Sequence, residues 1–216
     1  MKLNKKYFKN REDAVLKLID VLPSDTMKFE DWIVIATSAG SVPIAFELSK
    51  ILKASFDYMF SHKIEAPNNP ECEVAIVTES EEVVIHEELV KAFDISLDFI
   101  FAKAKNVYEN EVLKYIQKYR KGERLSDLHN KNVLLVDEGL NTSLTMMACI
   151  KTAINLKAKS VSVAVPILPT VSAPIIESIA DDLYYVKKLD HFVSIDFYYE
   201  ELEDITFEKI EKIIKG

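Results

Sequence analysis

Asn132–Met146, NVLLVDEGLNTSLTM, is the stretch whose reading decides the fold. Val133, Leu134, Leu135 and Val136 form a short continuous apolar run, as expected of a strand buried on both faces of a parallel sheet. Asp137 and Glu138 stand at its carboxyl end, where open α/β sheets place their ligands. Asn141, Thr142, Ser143, Leu144 and Thr145 then lead into Met146, Met147, Ala148, Cys149 and Ile150, a good helical start. A helix N-terminus offers unpaired N–H groups and partial positive charge, so it can hold a phosphate without a basic side chain. Hydroxyls at Thr142, Ser143 and Thr145 add donors. Two carboxylates beside a phosphate repel it, but they suit a hydroxylated or cationic neighbour, so the order of parts fits a phosphorylated sugar or its magnesium ion. The competing reading is a strand–turn–helix junction whose acids and hydroxyls only cap a helix.

Outward from this segment, strands alternate with helices. Phe8 to Leu22 reads as an amphipathic helix with Asn10 as N-cap and Ala14, Leu18 and Leu22 on one face. WIVIA at 32–36 is a buried strand, and Thr37-Ser38-Ala39-Gly40-Ser41 turns into a helix with Pro43 in its first turn. Phe56 to Phe60 and Val74 to Val77 are expected strands, separated by an irregular Pro- and Asn-rich turn over 62–71. Glu87 to Arg120 has helical periodicity, ended by Gly122. A helix from Thr145 to Leu156, a strand from Val161 to Val165, a helix from Val171 to Ile179, strands at Asp182–Val186 and Phe192–Ile195, and a final helix capped by Thr206 complete the series. The economical architecture is α/β, a mainly parallel twisted sheet flanked by helices.

The 216 residues suffice for one well-buried domain with a small appended subdomain, and 49% apolar content argues against disorder. A net charge of −8 argues against general nucleic-acid binding. No apolar run has membrane-spanning length, and MKLNKKYFKNRED lacks a signal peptide's hydrophobic core, so a cytoplasmic setting is expected. Cys72 and Cys149 match no metal spacing and are expected as reduced thiols. His129 and His191 have no companion ligands at metal spacing.

The strand, acidic pair and hydroxyl-rich loop resemble the signature of the type I phosphoribosyltransferases. Further blocks extend the resemblance over nearly the whole chain. Phe8, Asn10, Arg11, Asp13 and Ala14 resemble an F-x-D/N-R-x-x-A opening found in one bacterial group of that family. WIVIATSAGSVPIA resembles its strand and glycine-rich turn, HKIEAPNNPE its R-K-I-x-x-P-x-N-P-E block, YRKGER its Y-R-x-G-R segment, and Asp196-Phe197-Tyr198 its D-W-Y ending.

The resemblance implies a single domain over 1–216, with a hood formed by the N-terminal helix and the late strands. It implies transfer of ribose 5-phosphate from phosphoribosyl pyrophosphate to a nucleobase, with magnesium bound through the substrate rather than by a direct ligand cluster, and a homodimer. Asp137 and Glu138 would contact the ribose, Asn141, Thr142, Ser143, Leu144 and Thr145 the 5′-phosphate, and Thr37, Ser38, Ala39, Gly40 and Lys63 the pyrophosphate. Lys188, Phe192 and Phe197 would meet the base.

The chain departs from the family's pattern in both anion loops. The family's basic residue and first glycine fall at Ser38 and Ala39, which removes a contact worth roughly 1.5–3 kcal/mol. Its glycine and following small residue in the phosphate loop become Ser143 and Leu144, where serine could narrow the loop and leucine adds bulk. Arg11 is a candidate internal ion pair. Arg120 and Arg124 lie on a segment that could move over the substrate. A family member that binds phosphoribosyl pyrophosphate or a nucleotide as a sensor therefore stands as the alternative. A metal-dependent phosphatase comes last, for want of a nucleophile with a neighbouring base.

Overall fold

The computed structural model describes residues 6–215. Along the chain run α1 (Arg11–Ile19), α2 (Ser24–Met27), β1 (Trp32–Ala36), α3 (Val42–Leu52), β2 (Ser55–Tyr58), β3 (Ser61–Ala66), β4 (Asn69–Thr78), β5 (Val83–Ile85), α4 (Glu87–Ala92) and α5 (Leu97–Val107). A π-helical turn (Tyr108–Val112) leads into α6 (Leu113–Arg120), followed by β6 (Asn132–Val136), α7 (Leu144–Asn155), β7 (Ser160–Pro169), α8 (Ala173–Glu177) and β8 (Asp182–Leu189). A 3-10 turn (Asp196–Tyr198) and α9 (Phe207–Lys215) close the series.

The main sheet is parallel, five-stranded, and ordered β2-β1-β6-β7-β8. Its central strands are continuous apolar runs because both faces are covered. Val34, Ala36, Leu134 and Val136 pack against α1 and α3. Ile33, Ile35, Val133 and Leu135, offset by one residue, pack against Met146, Cys149, Ile150 and Ala153 of α7. Register aligns Ala36 with Val136, so the turn after β1 lies beside the acidic pair after β6. At the N-terminus, Asn10 accepts a hydrogen bond from the Asp13 amide at 3.0 Å, the expected N-cap.

A second, antiparallel sheet, β3-β4-β5, forms a smaller unit with α4, α5 and α6 around Phe60, Ile64, Val74, Val77 and Ile100. Here the structure corrects the expected irregular turn over 62–71. Ser61–Ala66 and Asn69–Thr78 are paired strands, with register shifts after Ile64 and Glu65. The turn-forming residues mark only the tip, at Pro67 and Asn68, and Pro70 sits exposed near the start of β4, where a missing N–H is tolerated. The helical strip from Glu87 to Arg120 is also interrupted. Asp94 takes a left-handed φ of 51°, and Ser96 caps a new helix by accepting from the Phe99 amide at 3.2 Å.

The late segment differs as well. Asp182–Leu189 is the edge strand of the main sheet, whereas Phe192–Ile195, expected as a strand, is not one. That segment is held by Tyr198, whose hydroxyl donates to the His191 carbonyl at 2.9 Å and accepts from the Val193 amide at 3.0 Å. The N-terminal and late segments meet through a parallel bridge between Phe8 and Tyr199, while α1 lies on the main sheet's face. No helix among the described residues is long and apolar enough to cross a membrane.

Candidate active site

Asp137 ends β6 with 7% of its surface exposed. Its carboxylate accepts from the Thr37 hydroxyl at 2.8 Å, the Ser38 hydroxyl at 2.7 Å and the Glu138 amide at 2.8 Å. Both hydroxyls come from the turn that β1–β6 pairing brings alongside. Burial pushes the Asp137 carboxyl up to about 6, against the opposing pull of the Ser38 hydrogen bond, and the neighbouring Glu138 charge raises it further. The turn is closed by Ser41, whose hydroxyl accepts from the Thr37 and Ser38 amides at 3.1 Å each.

Glu138 is held differently. Arg11 donates to its Oε2 from Nη2 at 2.8 Å and from Nε at 3.1 Å. The same guanidinium donates to the carbonyls of Gly40 at 2.9 Å and Glu203 at 2.8 Å, so the internal ion pair foreseen for Arg11 exists. Gly40 has to be glycine here: a Cβ on it would lie 2.3–2.4 Å from the Glu138 carboxylate. Tyr199 completes the support by donating to the Glu138 carbonyl at 2.9 Å.

The loop after Asp137 walls a cavity of about 220 Å³ bordered by Ser38, Glu73, Asp137, Asn141, Thr142 and Thr145. Ser143 also borders it, in a left-handed conformation with φ 62°, so serine occupies the backbone geometry that glycine would take without strain. Its hydroxyl is buried and has no hydrogen-bond partner. Leu144 turns away, packing beside Ile76, Val84 and Ala148, and its bulk leaves the cavity clear. Ser143 thus takes up the left-handed geometry of the loop, and the Leu144 side chain, rather than adding bulk to the cavity, seals α7 against the antiparallel sheet while its backbone stays at the junction of the loop with α7.

Ser143→Gly is expected to raise stability by about 1–2 kcal/mol, because it relieves the left-handed strain and removes an unsatisfied hydroxyl. Urea unfolding tests this; an unchanged or lowered midpoint would mean the serine is satisfied where it stands.

A second cavity of about 370 Å³ adjoins the first and shares Ser38, Glu73 and Thr145 with it. Thr37, Ala39, His62, Lys63, Tyr115 and Tyr119 border its other sides. The expected pyrophosphate turn and phosphate loop thus open onto neighbouring spaces that meet at Ser38, Glu73 and Thr145, and Asp137 borders the first of them, hydrogen-bonded to Ser38. Lys63 is half-exposed and paired with Glu65 at 2.9 Å. His62 stacks near Tyr115, and burial lowers its pKa.

Other candidates lie elsewhere. Lys188, Phe192 and Phe197 border neither cavity. The Lys188 ammonium lies 5.6 Å from the Tyr185 ring, and the two phenylalanines pack around Tyr198. Ile195 is the late-segment residue that reaches the first cavity. Arg120 is not a mobile surface residue; it is buried, ion-paired with Glu79 and stacked 4.5 Å from the Phe60 ring centroid. Arg124 borders a separate cavity. Cys149 is fully buried, and burial pushes its thiol up, which suits packing rather than nucleophilic chemistry.

Sequence reading missed Glu73. It sits immediately before the apolar run of β4 and projects into both cavities, and the signal available was an acid abutting a buried strand. Three carboxylates, Glu73, Asp137 and Glu138, border the first cavity, and no Lys, Arg or His does so among the described residues. Among the described residues no group of three or more acidic, histidine or cysteine side chains is arranged to hold a metal ion.

A family model for the phosphoribosyl transferase domain matches residues 6–200. Over 168 residues, 76% of this chain, the sequence is 29% identical to Mycobacterium tuberculosis proteins from strains CDC 1551 / Oshkosh and H37Rv whose own designation as phosphoribosyl transferases is provisional. The match takes in 36% of each, so the chain spans about a third of the length of these curated relatives. A crystal structure of a protein from Thermus thermophilus superposes with a TM-score of 0.78 at 22% identity, covering 96% of this chain and 97% of that one, a likeness of fold.

Proposed function

The chain belongs to the phosphoribosyl transferase domain family, and from that premise we propose that it transfers ribose 5-phosphate from phosphoribosyl pyrophosphate to a nucleobase, releasing pyrophosphate. The observation that carries this reading is Asp137, a buried carboxylate that borders a cavity walled by the Asn141–Thr145 loop and is hydrogen-bonded to Ser38, a residue this cavity shares with a second one bordered by Thr37, Ala39 and Lys63. A 5′-phosphate in the first and a pyrophosphate in the second would place the anomeric carbon between them.

Attack by a ring nitrogen of the base develops positive charge on the ribose. The fixed Asp137 carboxylate orients the ribose hydroxyls and stabilises that charge, already held by Thr37 and Ser38 so that little reorganisation remains. Glu138 braces this geometry through Arg11. Magnesium bound together with phosphoribosyl pyrophosphate would help to neutralise the leaving group. The base would enter beside Ile195, with Phe192 and Phe197 packed behind it around Tyr198, in a cytoplasmic homodimer.

A sensor that binds the same ligand without turnover is the second reading. It is favoured by Arg11 holding Glu138, and by Glu65 holding Lys63. Calorimetric titration with phosphoribosyl pyrophosphate and magnesium, followed by a pyrophosphate-release assay over candidate bases, separates the two. We expect binding that is lost in an Asp137→Asn, Glu138→Gln double variant that retains the native circular dichroism, together with base-dependent release. Binding without release for any base would select the sensor, and no binding at millimolar ligand would overturn both.

A further inference from the structure

Glu73 borders the cavity that the Asn141–Thr145 loop walls. It reaches from β4 of the smaller sheet to the phosphate loop, where Thr142 donates its hydroxyl to Glu73 Oε1 at 3.3 Å. It borders both cavities, so it forms part of the wall between the two anion subsites.

We infer that Glu73 is a competing carboxylate that holds the Thr142 donor while ionised and yields it to a phosphate by becoming protonated, so that the site takes up a phosphate together with a proton. This rests on the phosphate-loop part of the proposed function, but not on transfer chemistry. Two anions compete for one hydroxyl donor in a cavity that no basic side chain borders among the described residues, so a phosphate enters most favourably when the carboxylate is neutral. The free protein is already biased towards neutrality. Burial raises the Glu73 pKa against the opposing effects of the Thr142 hydrogen bond and the charges of Lys63 and His86.

Charged groups surround Glu73 from several elements. Lys63 lies on β3, and Glu65 stands opposite Glu73 in the β3–β4 register. His86 precedes α4, Asp137 and Glu138 follow β6 across the first cavity, and His62 borders the second. His62 and Asp137 could each impart pH dependence of their own, so Glu73 has to be isolated by substitution. Anion affinity should be greatest where Glu73 is protonated and should fall as pH rises through its folded pKa, levelling off above it.

Sulfate is the probe, because it stays a dianion where inorganic phosphate titrates. The full chain and its Glu73→Gln variant are titrated with sulfate by NMR chemical shifts and calorimetry. For the unaltered chain, affinity is expected to be at least about twofold tighter at about pH 4.5 than at about pH 8, because the Glu73 carboxyl is held above its ordinary value. Glu73→Gln is expected to bind more tightly than the unaltered chain at the higher pH and to depend less steeply on pH, the remainder belonging to groups such as Asp137. Equal affinity of the two proteins at the higher pH, or a pH dependence undiminished in Glu73→Gln, would overturn the inference. Failure of the variant to bind sulfate at all would do the same, since Glu73 would then not be what excludes the anion. Because sulfate needs no base and no pyrophosphate, a chain that lacks transferase activity can still pass this test, and an active transferase can still fail it.

Discussion

Arg11→Met should lower unfolding stability by about 3–5 kcal/mol, because it removes one partner of an ion pair and leaves the other in place. The guanidinium and the Glu138 carboxylate have side chains only 11% and 18% exposed. Without Arg11, Glu138 keeps its charge in a pocket tight enough to contact the Gly40 backbone, and the Gly40 and Glu203 carbonyls lose their donor. Methionine replaces much of the apolar stem, so the loss is mainly electrostatic. Pairing it with Glu138→Gln removes the stranded charge, and the double variant should recover a good part of the loss, with a coupling of about 1–3 kcal/mol. Urea unfolding of the four proteins closes the cycle. Losses that add without coupling would show that Arg11 acts through packing alone.

That ion pair also shows what a sequence can and cannot disclose. The sheet was legible because WIVIA and NVLLV are short, wholly apolar runs bounded by turn residues, a pattern imposed by burial on two faces. The acidic pair was legible for a related reason: charges at the end of such a run have to leave the core, and in this architecture they emerge at the ligand edge. Arg11 and Glu138 lie 127 positions apart, and nothing local to either identifies the partner; only the packing of α1 beside the turn after β1 brings them together.

The same logic explains Leu144 and Glu73. Leu144 belongs to the loop in sequence but to α7 in space, where Ala148, one turn on, shares its contacts with Ile76 and Val84. Glu73 enters the site from another sheet, so its role depends on how β4 docks against α7. Phe192–Ile195 is fixed by the Tyr198 anchor rather than by strand pairing, with Phe192 and Ile195 half-buried and Val193 exposed, and alternation alone cannot distinguish the two arrangements.

Asp137→Asn is expected to make the protein more stable at neutral and alkaline pH while destroying its hold on a sugar phosphate. The folded carboxyl titrates near 6, above its ordinary 3.8, so the native state binds this proton more tightly than the unfolded chain does. Its stabilising contribution is complete below the unfolded value and is lost as pH rises through about 6; above that, ionised Asp137 costs on the order of 2–3 kcal/mol relative to a neutral group. Asparagine can fill the place without breaking the network. Its oxygen can accept from Ser38 and the Glu138 amide, as Oδ1 does now, while its NH2 faces the Thr37 hydroxyl, which can accept while donating to the Val136 carbonyl. Urea unfolding of both proteins should therefore give curves that separate above about pH 6 and converge below about pH 4. A gap constant across that range, or an asparagine variant less stable at pH 8, would assign the site's strain to something other than the buried charge. Ligand affinity should move the opposite way, falling at least about tenfold, because a neutral amide cannot supply the charge that a fixed carboxylate offers to ribose hydroxyls. The strand end would then carry a carboxylate that opposes folding and is retained for what it binds.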